Sequence, residues 1–215
     1  MTERLPYDGT MRTGGDHYFS SAPGAASDPK DVDVLLPDVD LTLTSDAGVF
    51  SHGRLDGATR IFLETAPPPP RDGVLLDLGC GYGPIALTLA SRSPAAQVIA
   101  VDVNERALEL TRRNADRNGL ANVTAYRPED VPEGVRFAAI YSNPPVRIGK
   151  SEMRAMLLHW LSRLEPTGVA YFVVGKHLGS DSLAGWLTGQ GYDVQRIASK
   201  NSYRTLEVRH ERDAS

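Results

Sequence analysis

Val74-Leu75-Leu76-Asp77-Leu78-Gly79-Cys80-Gly81-Tyr82-Gly83-Pro84 runs from a buried strand through an acid into a turn with glycine at every second position. Ile85-Ala86-Leu87-Thr88-Leu89-Ala90 follows as the opening of a helix. Strand, glycine turn and helix form the unit by which an α/β sheet receives a nucleotide-like cofactor. A dinucleotide fingerprint ends on a third glycine that lets helix and strand pack closely. Here that slot is Pro84, and the glycine falls one place earlier, at Gly83. Proline suits the first helical position but brings no N–H, so a pyrophosphate finds one amide fewer. The spacing favours a cofactor without phosphates, and S-adenosylmethionine is the expectation.

Working outward, strand and helix patterns alternate from residue 73. Strands are expected at Val74 to Leu78, Gln97 to Asp102, Asn122 to Tyr126, Phe137 to Tyr141 and Val169 to Val174. Between them run a helix from Pro84, one from an Asn104 cap to Asn118-Gly119, and one carrying Met153, Met156, Leu157, Trp160, Leu161 and Leu164 on one stripe. That stripe is core packing. A last helix with Leu183, Trp186 and Leu187 precedes two strands, Tyr192 to Ile197 and Tyr203 to Arg209, joined by Ala198 to Ser202. So short a link makes them an antiparallel pair. The expected fold is α/β: a doubly wound, seven-stranded Rossmann-like sheet ending in an antiparallel hairpin.

Upstream, Val32 to Leu36 and Val39 to Thr44 alternate around Pro37-Asp38 and read as a small hairpin. Asp56 is placed to cap a helix through Ile61, Phe62 and Leu63, and Pro67 to Pro70 stop it. Residues 1–31, rich in Gly, Ser, Ala, Pro and Asp, read as a mostly flexible arm. Residues 32–215 read as one domain, with 32–70 an N-terminal extension and 71–215 the core. Within the arm His17-Tyr18-Phe19-Ser20 stands out, either docking the arm or helping to close the site.

The 215 residues suffice for one good core, and 41% hydrophobic with 23% charged residues is ordinary for a globular chain. A net charge of −4 gives no global basic field, although a local patch suffices for nucleic acid. Cys80 is the only cysteine, which excludes a disulfide framework and a zinc cluster; it reads as a small packing residue, and no metal is expected. No apolar run approaches membrane-spanning length and the N-terminus has no hydrophobic signal segment, so the expectation is a cytoplasmic protein without a membrane partner.

Asp102, nineteen positions after Gly83, ends the second core strand beside the glycine turn, where an acid accepts both ribose hydroxyls. Asp77 either fixes the turn's amides or meets the cofactor's amino-acid end. Gly79, Gly81 and Gly83 approach the cofactor through backbone. Near the third strand, Glu129 or Asp130 is placed to take the adenine amino group, and Asp130 is assigned. Ser142-Asn143-Pro144-Pro145 ends the fourth strand. Prolines present carbonyls without competing N–H groups, so the Asn143 side-chain oxygen and the Pro144 carbonyl can both accept from one planar NH2. Two acceptors favour a tetrahedral amine nitrogen with its lone pair aimed at a methyl donor, by orientation and electrostatics. Asn143, Pro144 and Pro145 are therefore the catalytic candidates for methylation of an exocyclic amine.

These motifs, with the upstream stretch Gly48-Val49-Phe50-Ser51-His52-Gly53-Arg54-Leu55-Asp56-Gly57-Ala58-Thr59, resemble the class I methyltransferases of the methyltransferase small domain family. The resemblance extends from about residue 17 to the final hairpin. It implies S-adenosylmethionine as cofactor and guanine N2 of ribosomal RNA as target; a protein glutamine, adenine N6 or a catalytically silent RNA-binding module are the alternatives. The residue after Asn-Pro-Pro is commonly aromatic in that family and stacks on the target base; here it is Val146. Phe50, also assigned to the cofactor site, or Tyr18 is expected to stack instead. The best-known members carry two related halves and this chain has one, so it is expected as a monomer or as a homodimer. Val146, Arg147, Lys150, Lys200 and Arg204 are assigned to the RNA side, with Lys176 beyond the fifth strand.

Overall fold

The computed structural model describes residues 25–145 and 148–211. Two strands open it, β1 (Lys30–Leu36) and β2 (Val39–Ser45), paired antiparallel around Pro37-Asp38. Their alternation is amphipathic: Val32, Val34, Val39, Leu41 and Leu43 are buried, while Asp31 and Asp33 face outward. The tip is fixed by a bidentate ion pair, Arg92 Nε and Nη2 donating to Asp38 at 2.7 and 2.9 Å.

Helix α1 (Gly57–Thr65) starts where Asp56 Oδ2 accepts from the Thr59 N–H at 2.9 Å, the expected cap. The core then alternates β3 (Val74–Leu78), α2 (Pro84–Arg92), β4 (Gln97–Val101), α3 (Glu105–Arg117), β5 (Val123–Tyr126), β6 (Phe137–Ser142), α4 (Lys150–Leu161), β7 (Leu164–Gly175) and α5 (Ser180–Thr188). Strands β8 (Tyr192–Lys200) and β9 (Tyr203–His210) finish it. Asn104 caps α3, accepting from the Arg106 N–H at 3.0 Å.

The sheet has seven strands in the order β5-β4-β3-β6-β7-β9-β8, the first five parallel and β9 antiparallel to both neighbours. The expected doubly wound sheet with a C-terminal hairpin is the observed one. Central strands such as β3 are buried along nearly their whole length, Asp77 included, because helices cover both faces. On one face α1, α2 and α3 pack with the β1–β2 hairpin; on the other lie α4 and α5. Helix α1 is part of that first core: Phe62 is fully buried 6.1 Å from the Tyr141 ring, a burial that contributes about 2–3 kcal/mol.

Two element junctions differ from expectation by three residues or more. Leu164 begins β7 rather than ending α4, because Ser162 closes the helix and Arg163 bridges the two elements. Strand β8 runs to Lys200, so the hairpin turn is only Asn201-Ser202, at φ 47° and 66°. A two-residue turn with both φ positive matches the right-handed twist of the flanking strands, which a five-residue link would not have required.

Strand order reverses at β3, with β4 and β5 on one side and β6 and β7 on the other. Such a switch point opens a crevice at the carboxyl ends of the strands. It brings Gly79, Asp102 and Asn143 to one edge of the sheet.

Candidate active site

A cavity of about 700 Å³ occupies that crevice, walled by the loop of residues 50–56, the glycine turn, the start of α3 and the Asn143-Pro144-Pro145 turn. Its donor side is built by backbone. Gly79 and Cys80 both give their N–H to Val101 O, at 2.8 and 2.9 Å, which locks the turn to β4. Asp102 closes the loop with its two oxygens: Oδ2 accepts from the Gly81 N–H and Oδ1 from the Asn104 N–H, both at 2.9 Å. Burial pushes the Asp102 carboxyl up, while the N–H groups of Asn104, Gly81 and Val103 hold its charged form.

The three glycines do different things. Gly79 and Gly81 lie at φ 80° and 57°, and a Cβ on either would meet no protein atom within 4 Å. Both line the cavity, so their missing side chains are the cradle. At Gly83, φ 96°, a Cβ would fall 2.7 Å from Leu87 Cδ1 and 3.1 Å from Thr111 Oγ1. Gly83 therefore serves the packing of α2 against α3 and stands behind the cavity wall. Asp77 is also behind it: fully buried, its Oδ2 accepts from the Ala86 N–H at 2.9 Å while Oδ1 has no partner. Burial pushes its carboxyl up to about 8, with the Asp102 charge adding to the rise and the Ala86 N–H opposing it. Its one hydrogen bond goes to the first turn of α2 and not to an amide of the glycine turn. Cys80 is buried, and that burial pushes its thiol up, so it stays protonated and packs.

The acceptor side is built by side chains. Ser142 Oγ donates to Leu78 O at 2.6 Å and ties the end of β6 to the end of β3. Asn143 Nδ2 donates to Asp56 Oδ2 and to Thr59 Oγ1, each at 3.0 Å. A carboxylate cannot donate, so the amide's NH2 must face α1 and its oxygen must face away. Asn143, Pro144 and Pro145 line the cavity.

Several residues around this site make contacts that the sequence reading does not assign. Asn114 Oδ1 accepts from the Thr44 N–H at 2.8 Å, and its Nδ2 donates to Thr44 O at 2.9 Å and Tyr82 O at 2.8 Å. One buried amide thus joins β2, α3 and the glycine turn. Tyr82 OH donates to Arg54 O at 2.9 Å, and Asn104 Nδ2 to Gly48 O at 2.8 Å, which hold the 46–56 loop as a wall. Asp46 accepts from Ser27 Oγ at 2.8 Å and from the Asp28 N–H at 2.5 Å, so the chain is already pinned at residue 27. A mid-helix asparagine was the available signal for Asn114, and the cap position marked Asn104; nothing marked Tyr82 or Asp46.

The remaining assigned residues scatter. Phe50 lines the cavity and is 49% exposed, a large apolar ring held at the rim. Pro128 lines the cavity, whereas Glu129 and Asp130 are exposed, Glu129 pairing with Arg127 at 2.9 Å. Lys150 and Lys176 are exposed at the sheet's carboxyl end. Lys200 Nζ pairs with Glu64 at 2.7 Å, and Arg204 is buried against Asp181, so neither presents a free cation to the cavity. Val146 and Arg147, like His17 to Ser20, lie outside the described residues. Among the described residues no cluster of three or more His, Cys, Asp or Glu could hold a metal ion, and no helix is long and apolar enough to cross a membrane.

The model of the methyltransferase small domain matches residues 40–207. The chain is 34% identical to the uncharacterized protein YbxB of Bacillus subtilis (strain 168), over 90% of this chain and 98% of that one. It is 31% identical to ribosomal RNA small subunit methyltransferase C of Shewanella amazonensis, over 79% of this chain and 49% of that protein. Among solved structures, a T. thermophilus 16S rRNA N2-guanosine methyltransferase, in complex with AdoMet and guanosine, superposes with a TM-score of 0.69. It is 25% identical, and the match covers 86% of this chain and 51% of that one. The chain therefore spans about half the length of these ribosomal RNA methyltransferases.

The cradle at Gly79 and Gly81, the Asp102 carboxylate beside it and the apolar contacts of Pro128 and Ala107 fit S-adenosylmethionine, a nucleoside without a pyrophosphate. The cofactor supplies a methyl group on a positively charged sulfur. The chain belongs to the methyltransferase small domain family and is an S-adenosylmethionine-dependent methyltransferase.

Proposed function

We propose that this chain methylates an exocyclic amine, guanine N2 of small-subunit ribosomal RNA, at the Asn143-Pro144-Pro145 turn. The observation that carries the reading is the Asn143 amide, whose NH2 is spent on Asp56 and Thr59 so that its oxygen is an acceptor at the cavity. With the Pro144 carbonyl it offers two acceptors to one planar NH2 group. Accepting both N–H bonds draws the nitrogen out of conjugation with its ring and presents the lone pair. The methylated nitrogen carries a positive charge, is acidic, and gives one proton to solvent; no strong general base is needed. The T. thermophilus neighbour, named as acting on a guanine N2 of 16S ribosomal RNA and solved with guanosine, supports that choice of amine.

Phe50, exposed at the rim, is the ring that stacks on the target base in place of the family's aromatic after Asn-Pro-Pro. Arg54 at the cavity, with exposed Lys150 and Lys176, supplies the phosphate contacts. Asp102 holds the ribose hydroxyls of the cofactor through lone pairs that the Gly81 and Asn104 amides leave open. The test is incubation with methyl-labelled cofactor and, separately, small ribosomal subunits, protein-free ribosomal RNA and ribosomal protein, followed by digestion to nucleosides or amino acids. Label in N2-methylguanosine is the expected result. Label in methylglutamine or N6-methyladenosine would overturn the assignment of the amine.

A further inference from the structure

We infer that Asp56 and Thr59, in the first turn of a helix outside the nucleotide-binding core, are positioning residues that fix which end of the Asn143 amide meets the substrate, and so set the site's selectivity for a donor NH2 over a carbonyl. The inference rests on the amine reading above. It starts from one carboxylate oxygen with two duties: Asp56 Oδ2 accepts from the Thr59 N–H at 2.9 Å, capping α1, and from Asn143 Nδ2 at 3.0 Å. Thr59 Oγ1 accepts the second Nδ2 proton, also at 3.0 Å, and Thr59 is 4% exposed. Both protons of the amide are therefore held by α1, 87 and 84 residues away in the chain.

An asparagine amide is nearly symmetric in shape and antisymmetric in hydrogen bonding. Without a partner that discriminates its ends, it presents an acceptor or a donor to the cavity with little preference. The carboxylate of Asp56 removes that freedom, since turning the amide over would put its oxygen against a negative oxygen. An acceptor fixed at the cavity recognises an exocyclic NH2 and repels a base edge that shows O6 or O4 there. The same segment reaches the donor side, because Arg54 O accepts from Tyr82 OH of the glycine turn at 2.9 Å. Residues 54–59 thus register the acceptor asparagine against the cofactor loop through three hydrogen bonds.

The variant that separates clamping from folding is Asp56→Ser with Thr59→Val. Serine is as good a helix cap as aspartate but too short to reach Asn143, and valine keeps the shape of threonine. Two measurements read the result. In NMR spectra of the ligand-free protein, the Asn143 side-chain NH2 signals are expected to be protected from exchange, with protection falling at least ~10-fold in the double variant. Turnover is expected to fall about 10- to 100-fold, with the cofactor Kd and the KM for the acceptor each within ~3-fold. A second pair reverses the polarity. Asn143→Asp alone sets two carboxylates against each other; adding Asp56→Asn removes that repulsion and lets an NH2 at position 56 donate to the new carboxylate, although an NH2 in place of Oδ2 no longer accepts from the Thr59 N–H. The swap is expected to recover at least ~10-fold of the turnover lost in the single Asn143→Asp variant.

Unchanged NH2 protection in the double variant overturns the clamp. Lost protection with unchanged turnover overturns the positioning role. Absence of amine methylation by the unaltered protein would instead sink the amine reading, and the NMR arm would still decide the clamp.

Discussion

The donor and acceptor sides of the cavity sit on neighbouring strands, yet they are held by different means. On the donor side, Gly79, Cys80 and Gly81 are fixed by their own backbone N–H groups to Val101 and Asp102, positions adjacent in the sheet. On the acceptor side, Asn143 is fixed by its side chain to α1, an element from the start of the chain. A backbone-built cradle depends on few side-chain identities, but a Cβ at Gly79 or Gly81 would enter it and one at Gly83 has no room. A side-chain-built acceptor concentrates its function in a few polar atoms. Substitutions on the two sides should therefore separate cofactor binding from turnover.

The largest effect is expected at Asn143→Ala. Removing an acceptor aimed at the reacting nitrogen should lower turnover by about 10²–10³-fold, the scale of losing one preorganised polar group. Cofactor affinity by titration calorimetry should stay within ~3-fold, and a parallel loss of both would erase the division between the two sides. Next comes Gly83→Ala, where a Cβ would press on Leu87 and Thr111 at a left-handed backbone. Overpacking and strain together should cost about 2–4 kcal/mol in denaturant unfolding, against about 1 kcal/mol for Gly81→Ala, whose Cβ meets open space. Equal costs would break the contrast between cradle and packing glycines.

Asp102→Ala should weaken cofactor binding about 10- to 100-fold, through lost ribose contacts and a freed Gly81 amide. Because burial raises the Asp102 pKa, affinity in the unaltered protein should begin to fall, as pH is lowered, above the ordinary carboxylate range. An unchanged dissociation constant in the variant would move the ribose role elsewhere.

The smallest effect is expected at Asp77→Asn, a fully buried residue that does not line the cavity. The native carboxyl titrates near 8 in the folded chain and near 3.8 when unfolded. Between those values the folded state binds more protons than the unfolded one, so wild-type stability falls as pH rises from about 4 to about 8. The variant escapes that loss. It should be about 1–2 kcal/mol more stable at pH 8, because burying the new NH2 offsets part of the several kcal/mol that linkage allows, and no more stable at pH 4. A pH-independent difference in chemical denaturation would show that Asp77 is not held as its burial implies.

How much of this was legible follows from how local each feature is. The strands, the Asp56 and Asn104 caps and the glycine turn depend on residues within one or two turns of each other, and sequence patterns report them directly. The hairpin turn was misjudged because Ala198 to Lys200 are weakly patterned, and only pairing with Tyr203 to Thr205 shows them to be strand. The partners of two of the assigned cations were hidden for a related reason. Lys200 and Arg204 look like free charges in sequence, but Glu64 and Asp181 come to them from α1 and α5.

The sequence by itself determined the α/β class and the glycine turn that takes the cofactor, and singled out Asn143 at the end of the neighbouring strand, because each is written in short-range spacing. Only the tertiary structure decided which way that asparagine points, which glycines cradle and which pack, and which cations remain open. Those depend on partners such as Asp56, Thr59 and Thr111, brought within about 3 Å across separations of 28 to 87 residues. Hydrogen bonding and steric exclusion act over ångströms, and sequence distance does not measure them.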